Sequence, residues 1–516
     1  MWTAAGLLTL ADWIGSDENF FSADPAKIPA SSEQAAAEAV ARIGLGPLEV
    51  RSGLVFEDIF PFKPNSMQLA ACETITGPGV YVIEAPISNR IFLRVEEFAK
   101  YINKMHQPVQ LIHANTWLDK NTNAPVSKLS PAPSAQHEKE VSHADAHNWF
   151  SSSRRALLAP IGVGTADQAM LAALAVKHFP LRRLALAGKV VILGEVHSYD
   201  CYTGSIIQKL CDLLQELHCT VIVLSATLTQ KYCTDLLNPE AQPKTTGVLP
   251  PYPLVHSHRQ GQKATAISTP PPEEKRVAVV FTPQEQMVAQ SLHQAAQGAQ
   301  VLWICNSVDR AQETYGLLRE ACAANNVELG LLHARPPFFM RQKREHYWMD
   351  SFGKNRNRQH GAILIATQIA EQSVDLDADM LVHRTCPHRY AFATHGQTVA
   401  ASTRIPAPPP HPAYTILQEK VSLAELRAMR AEEIKNAFGV KAFVYAPYVL
   451  AQALNIWSGI SHVTLPSQIR ELIEATYNEP DDLPSGWQEL YDQLIGGDMA
   501  RRHKALMNIM ATSLGG

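Results

Sequence analysis

Paired cysteines are absent from this sequence. Its 8 cysteines, at positions 72, 201, 211, 219, 233, 305, 322 and 386, form no CxxC, which argues against a zinc ribbon or a disulfide framework and suits a reducing cytoplasm. No run approaches the ~20 apolar residues of a membrane span. No charged then apolar leader opens the chain, so neither a membrane partner nor a secretory route is expected. An excess of one charge is missing too. With 45 Lys and Arg against 49 Asp and Glu, the net charge is −4, which excludes a uniformly basic coat and confines any nucleic-acid path to a local groove. What remains is 516 residues, 46% hydrophobic and 18% charged, the make-up of a soluble globular protein with roughly three domains of about 150 residues.

The apolar runs Gly79 to Ile87, Lys189 to Leu193 and Thr220 to Leu224 read as buried parallel strands, with the helical pattern Ile206 to Leu217 joining the last two. Glu195 directly follows such a strand, which delivers its carboxylate to the ligand-binding end of a sheet. A second α/β unit reads independently from strands at Val277 to Phe281, Val301 to Cys305, Leu329 to His333 and Ala362 to Thr367, with a helix over Val308 to Ala324. Polar or Pro-rich stretches at 121–147, 239–275 and 404–413 read as a loop, a linker and a domain exit. Beyond them the pattern turns helical, as in APYVLAQALNIWSG and LPSQIRELIEATY.

The string ILGEVHSYD, Ile192 to Asp200, followed by the strand ending Ser225-Ala226-Thr227, resembles motifs II and III of superfamily 2 nucleic-acid helicases. It is more specifically similar to the CRISPR-associated helicase-nuclease of type I interference systems, whose motif II usually reads DEVHAYD. The resemblance extends to Arg154–Arg182, to ATQIAEQSVDLDADMLV (366–382) as motif V, and to FPFKPNSMQLAA (60–71) as the adenine-reading Q motif. It implies two RecA-like parallel-sheet domains in tandem, at 56–238 and 276–405, with a linker at 239–275 and a helical segment at 406–516 that begins an accessory domain. It also implies ATP with Mg2+ as cofactor, and as partners single-stranded DNA and an RNA-guided surveillance complex. By the same resemblance Gln68 and His197 contact nucleotide, and Glu195 orients the attacking water. Arg384 and Arg389 stabilise transition-state charge. Ser225, Thr227, Thr367, Gln368, Glu371, Gln372 and Asp375 couple hydrolysis to DNA. Residues 1–55 resemble the end of an HD nuclease domain in which Asp12 stands at a metal-ligand position; with the other ligands expected upstream, Asp12 is read as a remnant, a solvated or capping carboxylate.

The departures matter as much. No GxxxxGK[ST] occurs in the chain, so the loop whose backbone N–H groups and lysine hold nucleotide phosphates is missing. The strand reading GVYVIEAPI continues as SNRIFLRVEEFAKYI, as if tens of residues had been excised. Gly194 stands where the family has its magnesium-holding aspartate, removing a hard oxygen ligand. Motif VI, His383 to Arg389, is one residue short and lacks a middle arginine. We therefore expect impaired ATP hydrolysis and an incomplete first sheet after Ile87, with Glu84, Glu195, Ser225 and Thr367 ending at one cleft. The alternative function class is a non-catalytic relative that binds DNA or the complex. Other constellations read blandly: His137, His143 and His147 as a solvated loop, Trp149, Trp303 and Trp457 as core, and Arg341, Lys343 and Arg344 as a solvated face or a strand-binding groove.

Overall fold

The computed structural model describes residues 1–21, 31–45, 51–85, 109–112, 149–150, 155–196, 199–225, 228–237, 252–271, 274–352, 360–370, 376, 378–384, 413–478 and 482–509. The fold is α/β, with two parallel-rich sheets. The first has the order β4-β5-β1-β6-β7, built from β1 (Gly79–Glu84), β4 (Val190–Gly194), β5 (Thr220–Ser225), β6 (Leu254–His258) and β7 (Thr265–Ser268). β1, β4 and β5 are mutually parallel, and β6 and β7 continue antiparallel from β1. Their Val and Ile content fits strands covered by helices. The helix Cys201–Glu216 covers this sheet, and Asp200 caps it by accepting from the Thr203 N–H.

The second sheet has the order β10-β11-β9-β12-β13-β8-β14. Its members are β8 (Lys275–Thr282), β9 (Gln300–Ile304), β10 (Glu328–Leu332), β11 (Ala362–Ala366), β12 (Met380–His383), β13 (Ala413–Leu417) and β14 (His462–Leu465). Every residue of β9 and β11 is buried, as central parallel strands require. Trp303 and Trp457 are core residues, as is Trp149 beside the helix Trp2–Gly15.

Two boundaries differ from the sequence reading. β6 and β7 lie inside 239–275, read as a linker, yet they pair onto β1 and extend the first sheet. β13 and β14 lie inside 406–516, yet β13 inserts between β12 and β8 and β14 pairs with β8. Both differences arise because an open strand edge recruits any extended segment that can satisfy its backbone groups. Proline-rich flanks hid β6, β7 and β13 from periodicity.

β4 is an edge strand among the described residues, with Val190 63% and Ile192 51% exposed. β2 (Gln110–Ile112) and β3 (Gly162–Gly164) pair apart as a separate two-stranded sheet. The expected incompleteness after Ile87 falls on residues 86–108, outside the described residues. The helices Pro447–Ser458, Ile469–Tyr477 and Ser485–Asn508 share a core with the second sheet through Leu450, Trp457, Ile473 and Trp487. The far end of helix 485–508 places Ala505 in the first sheet's core. There the Asn508 amide donates to the Tyr202 hydroxyl (3.2 Å) and the Asn508 carbonyl accepts from the Ala175 N–H (2.9 Å). Among the described residues, no helix is long and apolar enough to cross a membrane.

Candidate functional site

Parallel pairing brings the sequence-selected residues of the first sheet to one edge. Glu84 lies opposite Ser225 in register, and Gly194 opposite Leu224. Glu195 follows with φ of 56°, a left-handed conformation unusual for a residue with a Cβ. The chain thus turns sharply at the end of β4. Backbone strain of this kind concentrates at functional sites.

The second sheet gathers its own set at the C-terminal ends of β9, β11 and β12, where Ile304 is in register with Ala366 and His383. Thr367 is buried and its N–H donates to the Leu332 carbonyl (3.1 Å). The Gln368 amide donates to the Tyr445 hydroxyl (3.0 Å) and the Asn306 carbonyl (3.3 Å). Arg384 donates to the Gln284 carboxamide oxygen (2.7 Å). Nearby Lys441 pairs with Glu419. Its ammonium is pushed down by burial, with the charges of Arg384 and Arg310 adding to the effect and Glu419 opposing it. His333, at the end of β10, is pushed down by burial and then by Arg335 and Arg344.

Gln68 and Asp12 sit on the helices Ser66–Thr74 and Trp2–Gly15 rather than at strand ends. The Gln68 side-chain oxygen accepts from the Asn65 N–H (2.9 Å) while the Gln68 N–H donates to Asn65 Oδ1 (2.8 Å), a reciprocal cap on the helix Ser66–Thr74. Asp12 is exposed on helix 2–15, and among the described residues no metal-ligating group gathers around it. His197, Thr227, Glu371, Gln372, Asp375 and Arg389 lie outside the described residues.

Sequence reasoning missed a deeply buried polar constellation. Glu84, 1% exposed, accepts from His256 Nε2 (2.8 Å) and from Arg470 of helix 469–477. Glu474, one turn further along that helix, accepts from the Gln230 N–H. The available signal was the helical spacing of LPSQIRELIEATY, which puts Arg470 and Glu474 beside Ile469 and Ile473 on the buried side while Glu471 is exposed. Glu84, Cys233 and His256 bring their ligand atoms within 4.8 Å of one another and form the metal-capable group among the described residues. The Arg470 guanidinium is the cation there. Burial, and after it the Glu84 charge, hold the Cys233 thiol well above its ordinary value, so it is not a ready thiolate ligand.

Gly194 offers no carboxylate, and Glu84 is already engaged by Arg470 and His256. Residue types suited to phosphate contact do occur elsewhere, on the helix Phe338–Phe352. Its Arg341 pairs with Glu345 (3.3 Å), while Lys343 and Arg344 are exposed.

Comparison with known proteins places this geometry. A family profile described as the C-terminal part of the CRISPR-associated nuclease/helicase Cas3 matches residues 297–398. The chain is 30% identical to the CRISPR-associated endonuclease/helicase Cas3 of Thermus thermophilus, over 96% of this chain and 62% of that protein. It is 28% identical to Cas3 of Escherichia coli, over 76% of this chain and 50% of that protein. The crystal structure of T. fusca Cas3 superimposes with a TM-score of 0.79 at 26% identity, covering 99% of this chain and 64% of that one. The chain therefore spans less than two thirds of the length of these relatives. The Thermus alignment runs over 587 positions, more than the 516 residues present here, so it includes positions that the relative fills and this chain does not.

Proposed function

This chain belongs to the Cas3 helicase family, and from that premise we propose that it is a helicase-fold module of type I CRISPR interference in which ATP hydrolysis runs at or near background. Single-stranded DNA and the RNA-guided surveillance complex are its partners, met in the cytoplasm. A solved chain of similar fold, at 23% identity and a TM-score of 0.68, comes from a structure described as a CRISPR RNA-guided surveillance complex, pre-nicking.

The observation that carries the reading is the edge of the first sheet. Glu195 turns off the end of β4 with φ of 56°, and we assign it the water-orienting role; the residue before it is Gly194 and the chain has no GxxxxGK[ST]. Hydrolysis needs its elements together, because removing one member of a catalytic unit already loses most of the rate. DNA contact degrades gradually, since phosphate contacts are spread over many side chains and backbone groups. Thr367, Gln368, Arg341, Lys343 and Arg344 are the described residues we assign to it.

The test is steady-state ATPase with single-stranded DNA, comparing the chain with Glu195→Gln. Both should sit at background. Robust DNA-stimulated turnover that the variant loses would establish an active motor with another loop in place of the missing one. A gel-shift titration should find salt-dependent single-strand affinity in the same preparation; none at low salt would remove the retained groove.

A further inference from the structure

We propose that Glu84 and Arg470 form a latch that fixes the first sheet against the helical segment built onto the second, so that the relative position of the two units is set at this buried pair. The inference stands whether or not ATP is turned over.

Arg470 is rigidly part of the second unit. Helix 469–477 follows β14, which pairs with β8, and Leu465, Ile469, Leu472 and Ile473 share a core with Val277 and Ile304. Glu84 is as firmly part of the first, being the last residue of β1, held between β5 and β6. The two residues are 386 positions apart and 5% and 1% exposed. His256, on β6, braces the same carboxylate oxygen. One turn along the helix, the Glu474 carboxylate accepts from the Gln230 N–H at the start of the helix Gln230–Leu237. One face of helix 469–477 therefore makes two polar attachments to the first unit.

A charge pair this deeply buried is strongly asymmetric in energy. Removing one partner leaves an uncompensated charge in a site with little water, whereas removing both costs far less. The first unit can escape the penalty by moving away and letting water reach Glu84. Helix 485–508 provides the tether for that movement, because Trp487 near its start sits in the second core and Ala505 near its end in the first. With the latch broken, the units stay connected through this helix, and the seating of the first unit about its far end loosens.

The experiment is a distance measurement between spin labels on Cys72, exposed on helix 66–74, and on a cysteine introduced as Leu317→Cys, exposed on helix 308–324. It is made in the full chain with Cys201 and Cys386 replaced by serine. The parent should give one narrow distance. Arg470→Met should add a separate or much broader population, shifting the ratio of fixed to released forms by roughly 100-fold, at temperatures well below unfolding. Glu84→Gln, isosteric and milder, should release the units in the same direction and carries the test if Arg470→Met does not fold. The double variant should be less released than the sum of the singles. Distance distributions unchanged in the folded single variants, or fully additive singles, would overturn the latch and leave the pair as a local packing feature.

Discussion

Gly330 lies in β10 directly beneath the indole of Trp348, and replacing it with alanine measures how tightly helix 338–352 is seated. A Cβ at this position would lie 2.1 Å from Cζ2, 2.3 Å from Cε2 and 2.8 Å from Cη2 of the ring. Ordinary carbon contacts begin near 3.5 Å, so the indole must retreat by roughly 1.5 Å. Trp348 is buried and packs edge-on against both Tyr347 and Phe352, so the ring cannot swing away alone. Overpacking of this kind costs about 1–3 kcal/mol. Alanine recovers about 0.5–1 kcal/mol of the backbone entropy that glycine loses in a strand. The net expectation for Gly330→Ala is a loss of about 1–2 kcal/mol.

In a Trp348→Leu background the space is already open, and the same substitution should be neutral or slightly stabilising. The coupling between the two sites is then about 2 kcal/mol. Native-state hydrogen exchange of β10 and β11 amides reads the opening energy of this sheet without requiring the whole chain to unfold in one step. Because helix 338–352 carries Arg341, Lys343 and Arg344, single-strand affinity should fall alongside in Gly330→Ala alone. Equal opening energies lost in the two backgrounds would refute the reasoning, since additivity would mean that the indole is not what the new methyl meets.

Two further outcomes concern a buried lysine and the cysteines. Lys189 donates to the Leu157 and Ala159 carbonyls, and burial pushes its ammonium down to about 8 from the ordinary 10.5. Between those values the unfolded chain holds the proton more tightly than the folded one. Stability from this residue should therefore rise as pH increases from 8 to 10.5 and fall as pH drops back toward 8. Comparing urea midpoints with Lys189→Met across that window should isolate the slope, and parallel curves would dismiss it. Thiol reactivity should sort by burial: Cys72 labels in the folded protein, while Cys211, Cys233 and Cys305, pushed up by burial, label only on unfolding. Fast labelling of Cys233 in the native state would contradict the packed environment around Glu84.

The two α/β units, the β1, β4 and β5 strands and the body of the helix read at 206–217, which the structure begins at Cys201, were legible in the sequence, because buried parallel strands are written as local apolar runs and helices as local periodicity. So was the edge where Glu84, Glu195 and Ser225 meet, since parallel strands end together. The missing phosphate loop and Gly194 also needed nothing beyond the sequence. Tertiary structure alone decided that β6 and β7 belong to the first sheet and β13 and β14 to the second, and that Arg470 meets Glu84. Each of those outcomes rests on a partner chosen by edge pairing or charge burial. A segment's own sequence records that it must find a partner, and only the assembled chain determines which one lies within reach.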